Sequence, residues 1–388
     1  MTIDEVLTRG VAEILPSKEG LAEIMAKRKI TLYQGFDPTS PKLHIGHMIG
    51  LRKLAQFQKL GHKVIFLIGD FTGMIGDPTD KTAARHLLTK EHVHKNLEDY
   101  KNQAGKILDF DGPNKAGVRF NSEWHSKLSE EDFLRLASHI TAQQTMERDF
   151  FQERLKSEKP IYLHEFLYPL IQGYDSVAMG VDLEVGGNDQ LFNMLVGRTL
   201  MKDLENKEKF VLTTKLLEDP SGAKMGKTEG NAVNLTDSAQ DIFGKIMAFP
   251  DKMLPLAIEL LTDLPVNIVE EKGPLEAKKK LAYDVTTQIH TVEEAEKAYA
   301  YFEKTFQKRE TPEDLKTVKI SESHLPLLDL VFATHLASSR SEAKRLINQK
   351  AIDIDGQEQN DPAKEIEIPD KGFVVRVGKV KFVKVVIK

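Results

Sequence analysis

Residues 30–69 predict a strand, a turn, a helix and a second strand, and this order limits the fold more than any other part of the chain. The first of these segments is apolar and β-prone, and Asp37-Pro38 opens the turn that follows it. From Ile45 the apolar residues recur with helical spacing until Gly61 closes the run. The apolar residues after Gly61 predict a buried strand. A strand–helix–strand unit of this kind is typical of a mostly parallel sheet.

The predicted helix starts with His44-Ile45-Gly46-His47, at the carboxyl end of the first strand. Ligands of open α/β sheets bind at that end of the strands, and a helix N-terminus attracts anions. Gly46 would let an adenine or a phosphate approach the backbone, and the two histidines would supply donors. A single histidine here would be read more simply as a cap or a surface group. The full stretch resembles the HIGH signature of class I aminoacyl-tRNA synthetases.

A second glycine-punctuated segment, residues 221–228, is basic and superficially similar to a phosphate-binding P-loop. However, Gly222 and Gly226 enclose three residues where a P-loop has four, and a turn precedes them instead of a buried strand. The segment resembles the KMSKS loop of class I synthetases, in which two lysines close over a triphosphate. Gly226 and Thr228 occupy the two serine positions, a departure that is familiar in the tyrosyl branch.

Composition excludes several other classes of protein. The chain has 388 residues, no cysteine and a net charge of -5. Without cysteines there are no disulfides and no thiolate metal sites, which fits a cytoplasmic protein. No run of about 18 apolar residues predicts a membrane span, and the N-terminus is unlike a secretory signal. The acidic balance argues against nucleic-acid binding by the whole surface, so any RNA contact must come from a local patch.

Such a patch lies at the C-terminus, where residues 371–388 contain six basic residues and no acidic one. This is the footprint expected of phosphate-backbone binding, although lysines also protect exposed sheet edges. Residues 337–343 and Ile354-Asp355-Gly356 resemble an S4-type RNA-binding domain, which favours RNA. The predicted RNA-binding residues are Arg340, Lys344, Arg345, Arg376, Lys379 and Lys381.

The pattern changes twice along the chain. Short β-prone runs alternate with helical stretches up to about residue 220, the next segment is helical, and the C-terminal segment mixes helices and strands. Residues 319–323 are a predicted polar linker. The predicted fold is α/β: a Rossmann-like parallel-sheet catalytic domain at 1–229, an all-helical domain at 230–320 and a small α+β S4-like domain at 325–388.

Two further segments predict a polar pocket. Tyr168, Gln172 and Asp175 project from one face if their segment is helical. Buried polar groups need partners, so these three residues form either a satisfied structural network or a pocket for a ligand with an amine and a hydroxyl. Gly186-Gly187-Asn188-Asp189-Gln190 offers close backbone approach and polar side chains suited to a ribose and a carboxylate.

Together these segments resemble the tyrosyl-tRNA synthetase family over nearly the whole chain, and the resemblance implies roles for individual residues. The implied tyrosine-binding residues are Tyr33, Asp77, Tyr168, Gln172, Asp175 and Gln190, with Tyr33 and Asp175 at the phenol. The implied ATP-binding residues are Gly35, Asp37, Gly46, Gly187, Asp189 and Lys227. The implied catalytic residues around the triphosphate are Thr39, His44, His47, Lys81, Arg85, Lys224, Lys227 and Thr228. No role is assigned to Gln34.

The resemblance implies that the chain activates L-tyrosine with ATP and transfers it to the 3′ end of tRNA(Tyr). ATP with Mg²⁺ would be a substrate, with no tightly bound cofactor, no dedicated protein metal site and no membrane partner. A homodimer is implied, formed through helices after residue 120. The alternatives are a tryptophanyl-type synthetase, a non-catalytic RNA-binding protein built on the same fold, and a nucleotidyltransferase for another carboxylic acid.

Overall fold

The computed structural model describes residues 1–77, 88–97, 99–218, 232–307, 315–337, 339–378 and 381–388. They form two compact units, Met1–Val292 and Glu293–Lys388. The three-domain division proposed from the sequence stays a prediction. Of the described helices, none is both long enough and apolar enough to cross a bilayer.

The first unit contains one sheet and most of the helices. Its strands are β1 (Val11–Leu15), β2 (Thr31–Phe36), β3 (Lys63–Ile68), β4 (Gly117–Phe120), β5 (Leu183–Gly187) and β6 (Phe210–Thr214). Its helices are α1 (Ile3–Val6), α2 (Lys18–Lys27), α3 (Ile45–Lys59), α4 (Thr72–Ile75), α5 (Lys90–Leu97), α6 (Tyr100–Ala104), α7 (Ser122–His125), α8 (Glu130–Ala137), α9 (Ala142–Met146), α10 (Asp149–Lys156), α11 (Leu163–Met179), α12 (Leu191–Glu205), α13 (Ala239–Met247), α14 (Leu254–Leu261) and α15 (Ile268–Ile289), which is interrupted at Gly273.

The sheet has the strand order β1-β6-β5-β2-β3-β4, and all neighbours are parallel except β1 and β6. The chain leaves β2 towards β3 on one side and later returns to β5 on the other side. The strand order therefore reverses between β2 and β5, which opens a crevice at their carboxyl ends. The predicted parallel α/β sheet is confirmed.

Helix α3 positions the nucleotide motif, and its formation follows from its sequence. Met48, Leu51, Leu54 and Phe57 recur at helical spacing and are fully buried. Burying such side chains stabilises a fold by about 1.5–3 kcal/mol each. The helix packs against β2, β3 and β5, and Gly61 follows it with a positive φ of 82°. The predicted strand–turn–helix–strand unit is confirmed.

The second unit is an α+β unit. Its helices are α16 (Val292–Phe302), which begins at the boundary, α17 (Leu327–Ala333) and α18 (Arg340–Asn348), and its strands are β7 (Thr317–Ile320), β8 (His324–Pro326), β9 (Ile352–Ile354), β10 (Gln357–Gln359), β11 (Glu365–Glu367), β12 (Phe373–Val377) and β13 (Lys381–Ile387). Five strands form a sheet of order β10-β9-β12-β13-β7, and β8 pairs with β11. Leu327, Leu330, Ala343, Ile347 and Val375 are among the residues of its own apolar core.

Strand β7 was not predicted. It overlaps the expected linker at 319–323 and lies in a segment where the sequence predicts only helices, so that interpretation is wrong at this point. The strand is four residues long and pairs in parallel with β13 at the far end of the chain. Its conformation depends on this distant partner, which no local pattern indicates.

Candidate active site

A cavity of about 470 Å³ opens at the carboxyl ends of β2 and β5. It lies at the point where the strand order reverses, as expected for an open parallel sheet. The structure places in its wall every predicted tyrosine- or ATP-site residue that it describes, namely Tyr33, Gly35, Asp37, Thr39, His44, Gly46, His47, Asp77, Tyr168, Gln172, Asp175, Gly187, Asp189 and Gln190. The predicted residues Lys81, Arg85, Lys224, Lys227 and Thr228 lie outside the described residues.

The two histidines of the nucleotide motif cap the N-terminus of α3. His44 Nδ1 accepts a 3.1 Å hydrogen bond from the Gly46 N–H, and His47 Nδ1 accepts one of 3.1 Å from the His44 N–H. The ring centroids are 3.9 Å apart. Because Nδ1 accepts in both rings, each neutral imidazole carries its proton on Nε2. The helix start thus combines the positive end of the helix dipole with two imidazoles, a combination suited to an anion.

The chain that follows the predicted lysine loop returns to this helix start. Ile45 donates its N–H to the Val233 carbonyl at 2.9 Å, and Leu235 donates to the Leu43 carbonyl at 2.9 Å. Leu217 and Asn234, which flank the undescribed residues 219–231, both lie in the cavity wall. Described residues on both sides of that stretch therefore lie at the cavity.

Asp37 joins two elements across the cavity. Its Oδ2 accepts a 2.7 Å hydrogen bond from the Tyr168 hydroxyl, and its Oδ1 accepts one of 2.6 Å from the Thr72 hydroxyl. Burial raises the pKa of Asp37 to about 7, against the effect of these two donors, and nearby Asp77 and Asp175 raise it further. A cation entering the cavity would offset this cost of burying a charge.

Glycine 69 makes room for the Asp37–Thr72 contact. A Cβ on Gly69 would lie 2.0 Å from Asp37 Oδ1 and 2.3 Å from Thr72 Oγ1, distances that real Cβ atoms do not adopt. Gly73, one turn later, similarly leaves room for the ring of Pro38, whose Cδ would lie 2.9 Å from an added Cβ. Gly69 after β3 and Gly73 within α4 therefore serve close packing against the turn after β2.

Asp175 on α11 receives three donors although it is buried. Its Oδ1 accepts from Trp124 Nε1 at 2.8 Å and lies 2.8 Å from His125 Nε2, and its Oδ2 accepts from Asn121 Nδ2 at 3.3 Å. Burial raises the pKa of Asp175, and the hydrogen bond from His125 opposes that rise most strongly. The three donors favour a carboxylate that stays ionised inside the protein.

A hydrogen-bonded chain connects Asp175 with Asp37. Asn121 Nδ2 donates to Thr72 Oγ1 at 3.0 Å, and Thr72 in turn donates to Asp37. The side-chain oxygen Oδ1 of Asn121 accepts a 2.9 Å hydrogen bond from the Phe71 N–H, and this bond fixes the orientation of the Asn121 side-chain amide. Asn121 donates to both Asp175 and Thr72, and Thr72 donates to Asp37, so the two carboxylates belong to one connected network.

A second network lies beneath Tyr33. The Tyr33 hydroxyl and Ser176 Oγ are 2.8 Å apart, and burial raises the pKa of Tyr33 well above its ordinary value. Glu184 accepts from Gln172 Nε2 at 3.0 Å and forms an ion pair with Lys209. Glu184 and Lys209 are both buried, and burial lowers the pKa of Lys209. Neither charge could be buried this deeply without the other, because a single unpaired charge here would strongly destabilise the fold.

Gln190 and Asn193 connect this network to Asp77. Gln190 Nε2 donates to Asp77 Oδ2, and Asn193 Nδ2 donates to the side-chain oxygens of Gln172 at 2.9 Å and Gln190 at 3.0 Å. The sequence left open that Tyr168, Gln172 and Asp175 form a satisfied structural network, and this alternative therefore holds for part of these three residues. Asp77, Gln172 and Gln190 nevertheless line a cavity, which a purely structural network does not require.

Sequence reasoning missed several residues that build the site: Thr72, Asn121, Trp124, His125, Ser176, Glu184 and Lys209. Asn121 directly follows β4, so a search for polar residues at the carboxyl ends of strands could have found it. Glu184 is a charged residue inside a short apolar strand, which is another usable signal. His125 and Lys209 had no such signal, since their partners are distant in the sequence.

The predicted RNA-binding residues belong to the second unit. Arg340, Lys344 and Arg345 lie on α18 and are exposed, with Arg340 paired to Asp329 at 2.9 Å. Arg376 is half-buried and forms a 3.0 Å ion pair with Asp353 on the neighbouring strand. Lys381 begins β13 opposite Val377. Lys379 lies outside the described residues.

No group of three or more histidine, aspartate or glutamate side chains arranged for a metal ion occurs in the described part of the chain. The cavity instead offers acidic and amide groups at one end and a helix N-terminus with two histidines at the other. Such a site can hold a zwitterion or an ammonium beside an anion, which suits condensation of a carboxylate with a phosphate.

Two family models match the chain. The model described as "tRNA synthetases class I (W and Y)" matches residues 25–307, and the model described as "Tyrosine--tRNA ligase SYY-like C-terminal domain" matches residues 307–385. The first covers the whole cavity, and the two meet at residue 307. Together they account for nearly the full length of the chain.

Curated relatives agree with these models. A protein named tyrosine--tRNA ligase from Thermotoga maritima is 41% identical over 391 residues, covering 98% of this chain and 96% of the relative. A protein of the same name from Desulfotalea psychrophila is 43% identical over 398 residues, covering 98% and 97%. The similarity thus extends through both units.

Solved structures support the fold. A truncated mitochondrial tyrosyl-tRNA synthetase from Aspergillus nidulans superposes with a TM-score of 0.68 at 24% identity, covering 78% of this chain and 94% of that chain. The tyrosyl-tRNA synthetase of Archaeoglobus fulgidus complexed with L-tyrosine has a TM-score of 0.60 at 22% identity, covering 77% and 100%. At this identity the likeness establishes the fold alone.

Proposed function

Because the chain belongs to the tyrosine–tRNA ligases, a family of class I tRNA synthetases, we propose that its cavity at the ends of β2 and β5 binds L-tyrosine and ATP and joins them as tyrosyl-adenylate. One observation carries the proposal. The described residues that sequence reasoning assigned separately to tyrosine and to ATP all line the same cavity.

The acidic end of the cavity is the tyrosine site. Asp175 accepts the phenolic proton, with Tyr33 as the second phenol contact. The ammonium is held by Asp77, Tyr168 and Gln172. Tyr168 fits this role because its own proton is donated to Asp37, so its oxygen has lone pairs directed elsewhere. Gln190 lies near the tyrosine carboxylate.

The other end of the cavity binds ATP. Gly46 allows close approach at the start of α3, and His44 and His47 contact the triphosphate together with Thr39. Gly35 and Asp37 line the path of the nucleotide, and Gly187 and Asp189 lie near the ribose. These assignments rest on their positions in the cavity wall and on the anion-binding character of a helix N-terminus.

The remaining predicted residues are assigned to the triphosphate. They are the cations Lys81, Arg85, Lys224 and Lys227, together with Thr228. Their assignment rests on the resemblance and on the anchoring of residues 217 and 234 at the cavity. Mg²⁺ enters as part of the ATP substrate, bound mainly by phosphate oxygens and water.

In the first step the tyrosine carboxylate attacks the α-phosphate of ATP and pyrophosphate leaves. The carboxylate is already ionised, so the step needs no general base. It needs alignment of two anions and stabilisation of the charge that gathers on the phosphates. The histidines stabilise that charge as hydrogen-bond donors through Nε2–H, and the lysines stabilise it through their positive charge. In the second step the 3′-terminal ribose of tRNA(Tyr) takes the tyrosyl group and AMP leaves.

The second unit binds the tRNA through its basic surface. Arg340, Lys344 and Arg345 are exposed on one helix, which suits contacts to phosphates. Arg376, Lys379 and Lys381 complete the proposed set. Arg376 already neutralises Asp353, so its contribution is the smallest that we expect among them.

A homodimer and a cytoplasmic location are part of the proposal. The homodimer is supported by exposed apolar side chains in the first unit: Leu134 on α8 is 71% exposed and Leu163 at the start of α11 79%, and Leu155 on α10 and Tyr162 before α11 are exposed as well. Contiguous exposed apolar side chains are typical of protein interfaces. Sedimentation equilibrium of the protein and of a Leu134→Glu, Leu163→Glu variant tests the homodimer.

The deciding experiment is ATP–pyrophosphate exchange measured with each standard amino acid in turn. Tyrosine, and no other standard amino acid at comparable concentration, should drive exchange. Exchange driven by tryptophan would indicate the sister synthetase within the same family model, and exchange with no amino acid would favour the RNA-binding alternative. Asp175→Ala should lower exchange with tyrosine far more than it lowers ATP binding.

A further inference from the structure

His125 is a buried histidine in direct contact with Asp175. It ends α7, its side chain is 2% exposed, and its Nε2 lies 2.8 Å from Asp175 Oδ1. Its ring stacks on Phe71 with centroids 5.0 Å apart and an interplanar angle of 27°, and the Tyr174 ring lies 5.8 Å away. The imidazole is therefore held in one orientation by aromatic neighbours.

The neighbours of Asp175 determine the direction of the hydrogen bond with His125. Trp124 Nε1 can only donate, and it donates to Oδ1. Asn121 is oriented by the Phe71 N–H so that its Nδ2 donates to Oδ2. Both oxygens thus accept from groups that cannot accept in return, which favours an ionised carboxylate. His125 Nε2–H is then the donor, and Oδ1 accepts two hydrogen bonds.

We propose that His125 is a positioning residue that makes the site specific for a phenol. With Trp124 it occupies both lone pairs of Asp175 Oδ1, and it leaves Oδ2 to accept one further proton beside Asn121. A ligand hydroxyl is thereby directed to Oδ2, and a ligand ring without a hydroxyl leaves that oxygen unsatisfied. The inference rests on the proposed role of Asp175 at the tyrosine phenol.

A purely structural role for His125 predicts a different outcome. If the imidazole only filled space between Phe71 and Tyr174, its loss would loosen the pocket for any aromatic amino acid. If it positions Asp175, its loss affects the substrate that has a hydroxyl and spares the one that lacks it. The ratio of tyrosine use to phenylalanine use therefore separates the two roles.

The experiment compares His125→Leu, which removes the donor, with His125→Gln, whose side-chain amide can donate to the same oxygen. His139→Leu is the matched control, since His139 Nδ1 lies 3.2 Å from Asp203 in a histidine–aspartate pair whose members do not line the cavity. ATP–pyrophosphate exchange is measured with L-tyrosine and with L-phenylalanine, together with KM for ATP.

In His125→Leu we expect kcat/KM for tyrosine to fall by about 10- to 100-fold, as for loss of a hydrogen bond to a charged group. Phenylalanine exchange and KM for ATP should change by less than about threefold on the same scale. His125→Gln should recover most of the tyrosine activity, and His139→Leu should match the wild type.

An unchanged ratio of tyrosine to phenylalanine use in His125→Leu would overturn the positioning role. The same holds if His125→Gln proves no better than His125→Leu. Should His125→Leu fail to fold, His125→Phe removes the donor and keeps an aromatic ring against Phe71, and an unchanged tyrosine-to-phenylalanine ratio in that variant would equally overturn the proposal. Failure of the proposed function itself would appear separately, as wild-type protein that shows no tyrosine-dependent exchange.

Discussion

The hydroxyl of Tyr168 donates a 2.7 Å hydrogen bond to Oδ2 of Asp37, which joins the middle of α11 to the residue that follows β2. The two residues are 131 positions apart in the chain. This contact commits the phenolic proton to Asp37, so the Tyr168 oxygen faces a ligand as an acceptor. An ammonium is the ligand group that such an oxygen, close to several carboxylates, would bind.

Replacing Tyr168 by phenylalanine should weaken tyrosine binding. The change removes one acceptor from the ammonium site and leaves Asp37 with Thr72 as its side-chain donor among the described residues. We expect a loss of about 1–3 kcal/mol in tyrosine affinity, measured by equilibrium dialysis, with little change in KM for ATP. Tyr162→Phe, at the half-exposed start of the same helix, is the control. Equal tyrosine affinity in both variants would remove Tyr168 from the ammonium site.

Tyrosine affinity should rise with pH through neutrality. Burial raises the pKa of Asp37 to about 7, so the carboxyl is mostly protonated near about pH 6 and mostly ionised near about pH 8. The charged form attracts the ammonium, which stays protonated over this range. We expect the dissociation constant to fall by about three- to tenfold between these pH values and to be nearly flat in Asp37→Asn. A wild-type profile as flat as that of the variant would contradict this role of Asp37.

Gly69→Ala should disrupt the Asp37–Thr72 hydrogen bond, because the new Cβ would overlap both side-chain oxygens. We expect tyrosine-dependent exchange to fall by at least about tenfold, with destabilisation of about 1–3 kcal/mol from the forced shift. Gly244→Ala in α13 is the control, since its Cβ meets no atom within 4 Å. That change should be neutral or stabilising by up to about 1 kcal/mol, from helix propensity. Identical exchange rates in the two variants would show that the overlap is relieved without effect.

Because of Lys53, the free energy of unfolding should increase as pH rises above neutrality. Its ammonium is buried against the carbonyls of Val6 at 2.7 Å and Arg9 at 2.9 Å, and burial lowers its pKa to about 7. Between that value and the unfolded value of about 10.4, the unfolded chain holds the proton and the folded chain does not. Stability therefore rises with pH in this window.

Lys53→Met should lack this contribution. From about pH 7 to about pH 9.5 the free energy of unfolding of the wild type should gain on that of the variant, by up to about 3 kcal/mol at 1.4 kcal/mol per pH unit. Urea unfolding at the two pH values measures the difference. A constant difference between the proteins would mean that Lys53 stays charged throughout.

Arg340 and Arg345 should contribute to tRNA affinity through phosphates. The double alanine variant should bind tRNA more weakly. The slope of its log affinity against log salt concentration should be shallower, by the amount expected for the loss of about one to two phosphate contacts. Exchange with tyrosine should be unchanged, since both residues belong to the second unit. Lys27→Ala, an exposed lysine of α2 paired with Glu23, serves as control. A salt slope equal to that of the wild type would remove both arginines from the RNA surface.

Much of the site was predictable because its signals are local. The turn at Asp37-Pro38, the two histidines at the start of α3 and the glycine pair at the end of β5 each occur within a few residues of a strand end. Helical spacing alone indicated that Tyr168, Gln172 and Asp175 share a face. Each of these features depends on backbone preferences that act over one or two turns of chain.

The partners of these residues were not predictable in the same way. His125 meets Asp175 from 50 residues away, Lys209 meets Glu184 from 25, and β7 pairs with the C-terminal strand β13. Nothing in the residues around His125 distinguishes it from an ordinary surface histidine.

The sequence by itself determined the strand–helix–strand unit, the position of the nucleotide motif and many of the residues that line the cavity. Only the tertiary structure decided which donor faces which carboxylate, which charges are paired and which hydrogen bonds connect Asp175 to Asp37. The physical reason is that periodicity and turn chemistry are properties of neighbouring residues. A buried hydrogen bond exists only after distant segments have packed and excluded water.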